Sequence, residues 1–170
     1  MRTAMDASIF LATALACAPQ VHVDTSRALV SVESSFNPWA IGLVGGTLHR
    51  QPRHRAEAIA TARALQAAGW NFSLGLAQIN KHNLPRLGLT IETAFDPCRN
   101  LAAMEQVLSE CFARTQVSAQ LPTAAQTGLR RALSCYYSGN FITGFRHGYV
   151  RKVVAASRAQ SQVPTPQEMS

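Results

Sequence analysis

Apolar residues recur every third or fourth position through most of this sequence, and that spacing restricts the chain to a largely helical fold. Ala58, Ile59, Ala62 and Leu65 show it within residues 56–68, where Gly69 stands ready as the stop. Leu101, Met104, Leu108 and Cys111 show it within residues 100–114. Asp24 and Thr25 are placed to cap a helix running through Ala28, Leu29 and Val32 to about Ser34. Phe36-Asn37-Pro38 then ends it, because proline restrains the residue before it and has no N–H for the helical ladder. Residues 124–137 and 149–159 read as further helices, 117–123 as a loop and Ser138-Gly139-Asn140 as a turn. Strand signals are few. Residues 40–43 and 47–50 around Gly45-Gly46 read as a small β-hairpin, and periodicity leaves residues 72–80 undecided. The expected class is α+β, predominantly helical, in one domain over residues 1–160. A polar tail with two prolines, residues 161–170, is expected to stay unpacked.

Residues 7–19 are apolar and contain Ala14-Leu15-Ala16, a pattern a signal peptidase can cut. Asp6 interrupts the start and Arg2 is the one positive flank, so the segment reads rather as a first buried helix. No apolar run reaches the length of a membrane span.

Hydrophobic residues at 47% against 15% charged exclude a disordered chain. A net charge of +7 favours an anionic partner: nucleic acid, a membrane surface or carboxylate-bearing cell wall. The cations are scattered and no nucleic-acid motif occurs, so nucleic acid is not the expected partner. Four cysteines without a C-x-x-C suit two disulfides in an oxidising compartment, with four reduced core cysteines as the alternative.

Nine acids allow elimination. Asp6 and Glu168 lie near the termini, Asp24 and Asp96 where caps belong, and Glu57 and Glu92 in first turns, where the helix dipole favours them. Glu105 and Glu110 belong to the outer face of an amphipathic helix. Glu33 differs, because it closes a helix, against the dipole, beside Val32 and Phe36. A carboxyl in a partly apolar cleft resists ionisation and can donate a proton near neutrality, which protonation of a glycosidic oxygen requires. The alternative is an ordinary exposed glutamate at a frayed helix end. Five histidines fall in no nucleophile-elbow or metal-ligand spacing, so neither a metal nor another cofactor is expected.

Glu33-Ser34-Ser35-Phe36-Asn37-Pro38 with Ala40-Ile41-Gly42, then Gly75-Leu76-Ala77-Gln78-Ile79-Asn80, then Tyr136-Tyr137-Ser138-Gly139-Asn140, form an ordered set. That set resembles the soluble lytic transglycosylase family, whose fold is lysozyme-like and related to goose-type lysozymes. Cys17-Ala18-Pro19, Gly69-Trp70-Asn71-Phe72, Phe95-Asp96-Pro97-Cys98 with Asn100-Leu101, and Gly148-Tyr149-Val150 resemble its type IV secretion system branch. The resemblance runs from Cys17 to Val154. It implies that Glu33 is the single catalytic acid/base and that Ser34, Gly75, Gln78, Asn80, Tyr136 and Tyr149 serve the sugar cleft. Tyr137 stands where the family commonly has asparagine. The implied partners are peptidoglycan glycan strands and secretion-system components, and the implied location is the periplasm.

A lone carboxylate suits that chemistry, since one glutamate can act first as acid and then as base toward the substrate's own hydroxyl. A goose-type hydrolase would instead need a second carboxylate, with Asp96 nearest by sequence. A non-enzymatic glycan-binding protein is the third reading. For the cysteines, Cys111 and Cys135 lie on successive helices that an antiparallel pairing would join, and Cys17 and Cys98 each adjoin a proline-containing turn. Cys17–Cys98 and Cys111–Cys135 are therefore the expected bridges among the three pairings four cysteines allow.

Overall fold

Helices dominate the computed structural model, which describes residues 4–116 and 122–161. The described residues divide into two compact units, one formed by residues 4–23 and 33–106, the other by residues 24–32, 107–116 and 122–161.

In the first unit, α1 (Ala7–Cys17) opens under an Asp6 cap, whose carboxylate accepts the Ser8 N–H at 2.8 Å. The Ser8 hydroxyl and backbone hold the Asp6 carboxyl below its ordinary range. Asp6, set aside in the sequence as merely terminal, is thus a helix cap. Phe10 and Ala14, one turn apart, are buried, and Phe10 meets the Phe36 ring edge-on at 5.1 Å. The expected first buried helix is buried along this stripe alone: Ile9 and Leu15 are 55% and 58% exposed. The Cys17–Cys98 disulfide joins the end of α1 to the start of α5 (Pro97–Arg114).

Three short strands, β1 (Ile41–Leu43), β2 (Phe72–Leu74) and β3 (Ile79–Asn80), form an antiparallel sheet in that order. The expected hairpin between residues 40–43 and 47–50 does not form. β1 pairs with β2 instead, Ile41 opposite Leu74 and Leu43 opposite Phe72. Burial decides between the two partners. Phe72 and Leu74 are fully buried, each contributing roughly 2 kcal/mol, whereas residues 47–50 have Leu48 as their one apolar side chain and it is only half-buried. The far edge of β1 is closed by a side chain: the Gln51 amide accepts the Ile41 N–H at 2.8 Å and donates to the Ile41 carbonyl at 2.9 Å.

Helix α3 (Arg55–Ala67) follows a His54 cap and stops before Gly69, whose φ of 78° is the left-handed conformation expected of a C-terminal glycine. Two 3-10 turns, Lys81–Asn83 and Pro85–Leu87, and the four-residue α4 (Ile91–Ala94) complete the unit before α5. α5 starts three residues earlier than the periodicity suggests, because Asp96 caps it by accepting the Arg99 N–H at 2.9 Å. Asn100 therefore lies inside the helix. It is 1% exposed, its Oδ1 accepts the Ala77 N–H at 2.8 Å, and its Nδ2 donates to the carbonyls of Leu74 at 3.0 Å and Ala94 at 2.8 Å. Glu105, expected to be solvated, accepts the Gln20 N–H at 2.6 Å.

The second unit contains the body of α2 (Val23–Ser34), the end of α5, α6 (Pro122–Ser138), α7 (Thr143–Arg146) and α8 (Tyr149–Ser161). Helix α2 begins at Val23, so Asp24 is a first-turn residue paired with Arg27 at 3.8 Å rather than the cap. Pro122 and Thr123, expected in a loop, open α6; residues 117–121 of that loop lie outside the described residues, as do residues 162–170 of the tail. Gln160 and Ser161 still belong to α8. Cys111 and Cys135 are bridged, so both expected disulfides are present. Gly144 lies so close to α6 that a Cβ there would sit 2.5 Å from Ser134 Cα, and its N–H donates to Ser134 Oγ at 2.9 Å.

Asn100→Ala should be severe for a substitution of a polar residue. It removes a buried hydrogen-bond partner from one N–H and two carbonyls, at about 1 kcal/mol each. We expect a loss of about 3 kcal/mol in chemical denaturation; a loss under about 1 kcal/mol would show that the turn it holds repairs itself.

Candidate active site

Glu33 and Ser34 end α2. The chain then turns through two successive non-glycine residues in the left-handed region, Ser35 at φ 52° and Phe36 at φ 63°. Each costs about 1–2 kcal/mol. The turn is secured by the Asn37 N–H donating to the Ser34 carbonyl at 3.1 Å, by Met5 N–H on the Phe36 carbonyl at 2.8 Å, and by Asn37 Oδ1 accepting the Trp39 N–H at 3.0 Å. Gln78 is also left-handed, at φ 51°. Strain of this kind gathers where a side chain must be aimed.

These residues converge on a cleft of about 640 Å³ lined by Glu33, Ser34, Ser35, Asn37, Ala40, Ile41, Gly42, Arg50, Gln51, Pro52, Arg53 and Gln78. Glu33 is half-buried and is the one carboxylate among the lining residues. Gln78 is oriented without ambiguity. Its Nε2 donates to the carbonyls of Ala40 at 3.2 Å and Gly75 at 3.0 Å, two acceptors that only the NH₂ end can satisfy. Both donors are thereby used on backbone, and Oε1 keeps its capacity as an acceptor. That oxygen lies where a Cβ at position 42 would be, which explains why β1 carries Gly42.

Gly75 supports this arrangement from behind. It is buried, lies outside the cleft lining and adopts φ 77°; a Cβ on it would strike the Asn100 amide and come within 2.8 Å of the Ala94 carbonyl. Asn80, also outside the lining, spends its side chain on Asn71 at 2.8 Å and on the His82 N–H at 3.0 Å. Tyr136 and Tyr149 belong to the second unit. There Tyr149 is buried and stacks on Tyr137 at 4.6 Å, and the Tyr137 hydroxyl lies 3.2 Å from His147 Nδ1. Asp96, the second acid of the hydrolase reading, is a helix cap and does not line the cleft. Among the described residues no cluster of His, Cys, Asp and Glu could hold a metal ion. No helix among them is long and apolar enough to cross a membrane.

Sequence reasoning missed the rim of Arg50, Gln51, Pro52 and Arg53. The sign of it was present: a proline beside three polar residues just before a helix start. Arg50 pairs with Glu57 at 2.5 Å, and Glu57 also accepts the Arg53 N–H at 2.8 Å. The Arg50 guanidinium first, and the Arg53 amide after it, hold the Glu57 carboxyl down at about 2.

The Transglycosylase SLT domain family matches residues 10–153. "Type IV secretion system protein virB1" of Brucella abortus biovar 1 (strain 9-941) is 52% identical over 153 residues, covering 87% of this chain and 63% of that protein. The protein of the same name in Brucella suis biovar 1 (strain 1330) shows the same identity and coverage. "Protein virB1" of Rhizobium radiobacter is 39% identical over 166 residues, 96% of this chain and 66% of that protein. The chain thus spans less than two thirds of the length of the Brucella relatives. No solved structure matches it. The chain belongs to the transglycosylase SLT domain family, and its fold is lysozyme-like.

The Glu57 pair generates a pH prediction. A carboxyl whose folded pKa is about 2, below its ordinary 4.5, adds stability that is complete above about 4.5 and is lost as pH falls toward 2. Glu57→Gln should flatten that part of the acid limb of a stability–pH curve. An acid limb identical to the wild type's would mean the pair contributes nothing.

Proposed function

We propose that this protein is a lytic transglycosylase that cleaves the β-1,4 bond between N-acetylmuramic acid and N-acetylglucosamine in peptidoglycan, with Glu33 as its acid and base. The observation that carries this reading is Glu33's place as the one carboxylate lining a cleft, within the stretch that the transglycosylase SLT domain family matches. Protonated, Glu33 donates to the glycosidic oxygen as the bond to C1 breaks. As carboxylate, it then takes the proton of the muramic acid's C6 hydroxyl, whose oxygen closes on C1 to give a 1,6-anhydro end. The nucleophile is tethered to the reacting ring, so its effective concentration replaces the second acid that activating a water would need.

The neighbours have distinct tasks. Gln78 Oε1 accepts from a sugar hydroxyl or acetamido N–H, and Gly75 keeps the backbone behind it in place. Ser34 borders the same cleft and helps position substrate. By motif we also assign substrate roles to Asn80, Tyr136 and Tyr149, with Tyr137 offering a ring and hydroxyl in place of the usual asparagine amide. Relatives named as type IV secretion system proteins support action in opening the wall for such a system, with its components as partners. Two disulfides support a periplasmic location.

Mass spectrometry of digested peptidoglycan tests the reading. We expect 1,6-anhydro muropeptides from the wild type and a loss of ~100- to 10,000-fold with Glu33→Gln at unchanged stability. Gln78→Ala should lose less, about 10- to 100-fold, as a positioning hydrogen bond would. Reducing-end products would make it a hydrolase, and a fully active Glu33→Gln would remove the assignment.

A further inference from the structure

Three arginines stand at the corner where the chain leaves the cleft and enters α3, and two of them are already engaged. Arg50 pairs with Glu57 at 2.5 Å, and Arg55 donates through Nη2 to the Glu92 carbonyl at 2.8 Å. Arg53 lines the cleft, is exposed, and among the described residues has no hydrogen bond or ion pair to its guanidinium. Its backbone, in contrast, is held. Pro52 before it is buried with a ring-fixed φ, the Arg53 N–H donates to Glu57 Oε2 at 2.8 Å, and His54 after it caps α3. A charged fork on a fixed base, on the wall of the cleft that holds Glu33, is suited to a carboxylate arriving with the ligand.

We propose that Arg53 determines specificity by pairing with a carboxylate carried on the muramic acid unit of the glycan strand. This rests on the substrate class proposed above, and its chemistry follows from that sugar. The lactyl ether sits on the same ring whose C1 reacts at Glu33, so any carboxylate on that substituent enters the cleft with the scissile bond. Two sources share the chemistry. In a peptide-bearing strand the lactyl group is tied up as an amide and the carboxylates belong to the stem peptide. In a strand stripped of peptide by an amidase, the lactyl carboxylate itself is free.

The test uses three soluble strand preparations: peptide-bearing, amidase-stripped, and stripped with the lactyl carboxylate converted to its primary amide. Dissociation constants by calorimetry and KM for anhydro-product release are measured for the wild type, Arg53→Gln and Arg53→Lys, after confirming equal melting temperatures. With Arg53→Gln we expect about a fivefold rise in Kd and KM on a carboxylate-bearing strand, the upper range for an exposed pair, and no change on the amidated strand. Arg53→Lys should recover only part, since an ammonium lacks the planar fork, and added salt should shrink the wild type's advantage. A rise confined to peptide-bearing strands assigns the stem peptide, and one confined to stripped strands assigns the lactyl group. No change on any strand, or an equal loss on all three, overturns the proposal. Wild-type binding that depends on Arg53 without anhydro product would sink the transglycosylase reading alone. Anhydro product with no Arg53 dependence would sink this inference alone, and a wild type that neither binds nor cleaves would sink both.

Discussion

The hydrogen bonds of a single buried amide hold the cleft's geometry in place. Asn100 reaches from α5 to Leu74, Ala77 and Ala94, so it clamps the end of β2, the turn after it and the end of α4 with one side chain. Without it, the buried Ala77 N–H in the turn from Gly75 to Gln78 would lose its Asn100 partner. With it, Gly75 has no space for a side chain, and the Gln78 amide is delivered to the Ala40 and Gly75 carbonyls with its oxygen outward. Glu33 is held by different means, a helix end followed by two left-handed residues. Glu33 and Gln78 are thus each fixed by backbone that pays a conformational cost, and rigid aim is the return.

Much of this was legible from residue spacing. The stop at Phe36-Asn37-Pro38, the glycine after α3 and the apolar face of α5 follow from local rules, and these set where Glu33 lies. Caps and first turns have recognisable surroundings: Asp96, Glu57 and Glu92 are where electrostatics would put them. The cysteine pairing was legible once the helices were, since neighbouring helices bring their buried faces together.

What escaped was non-local. β1 and β2 are separated by the whole of α3, so nothing near residues 40–43 announces their partner, whereas a glycine pair beside them suggests a hairpin that burial does not favour. Asn100 read as a helix boundary because its three partners lie 6 to 26 residues away. The 3-10 turns, α4 and α7 are too short to show a period. Gly75 shares a motif with Gln78, yet lies outside the cleft lining. A motif records which residues a site requires and does not separate those that meet the ligand from those that hold the others.

The order of the disulfides has a consequence for how the chain matures. Cys17 is joined to Cys98 and Cys111 to Cys135, so every cysteine is bonded to its neighbour in the sequence of cysteines, and each bridge lies within one compact unit. In a chain that emerges amino end first, Cys98 is the next cysteine after Cys17, and that pair can close before Cys111 and Cys135 follow. The native connectivity can then be laid down in order of arrival, with no crossed bridge to be broken and remade.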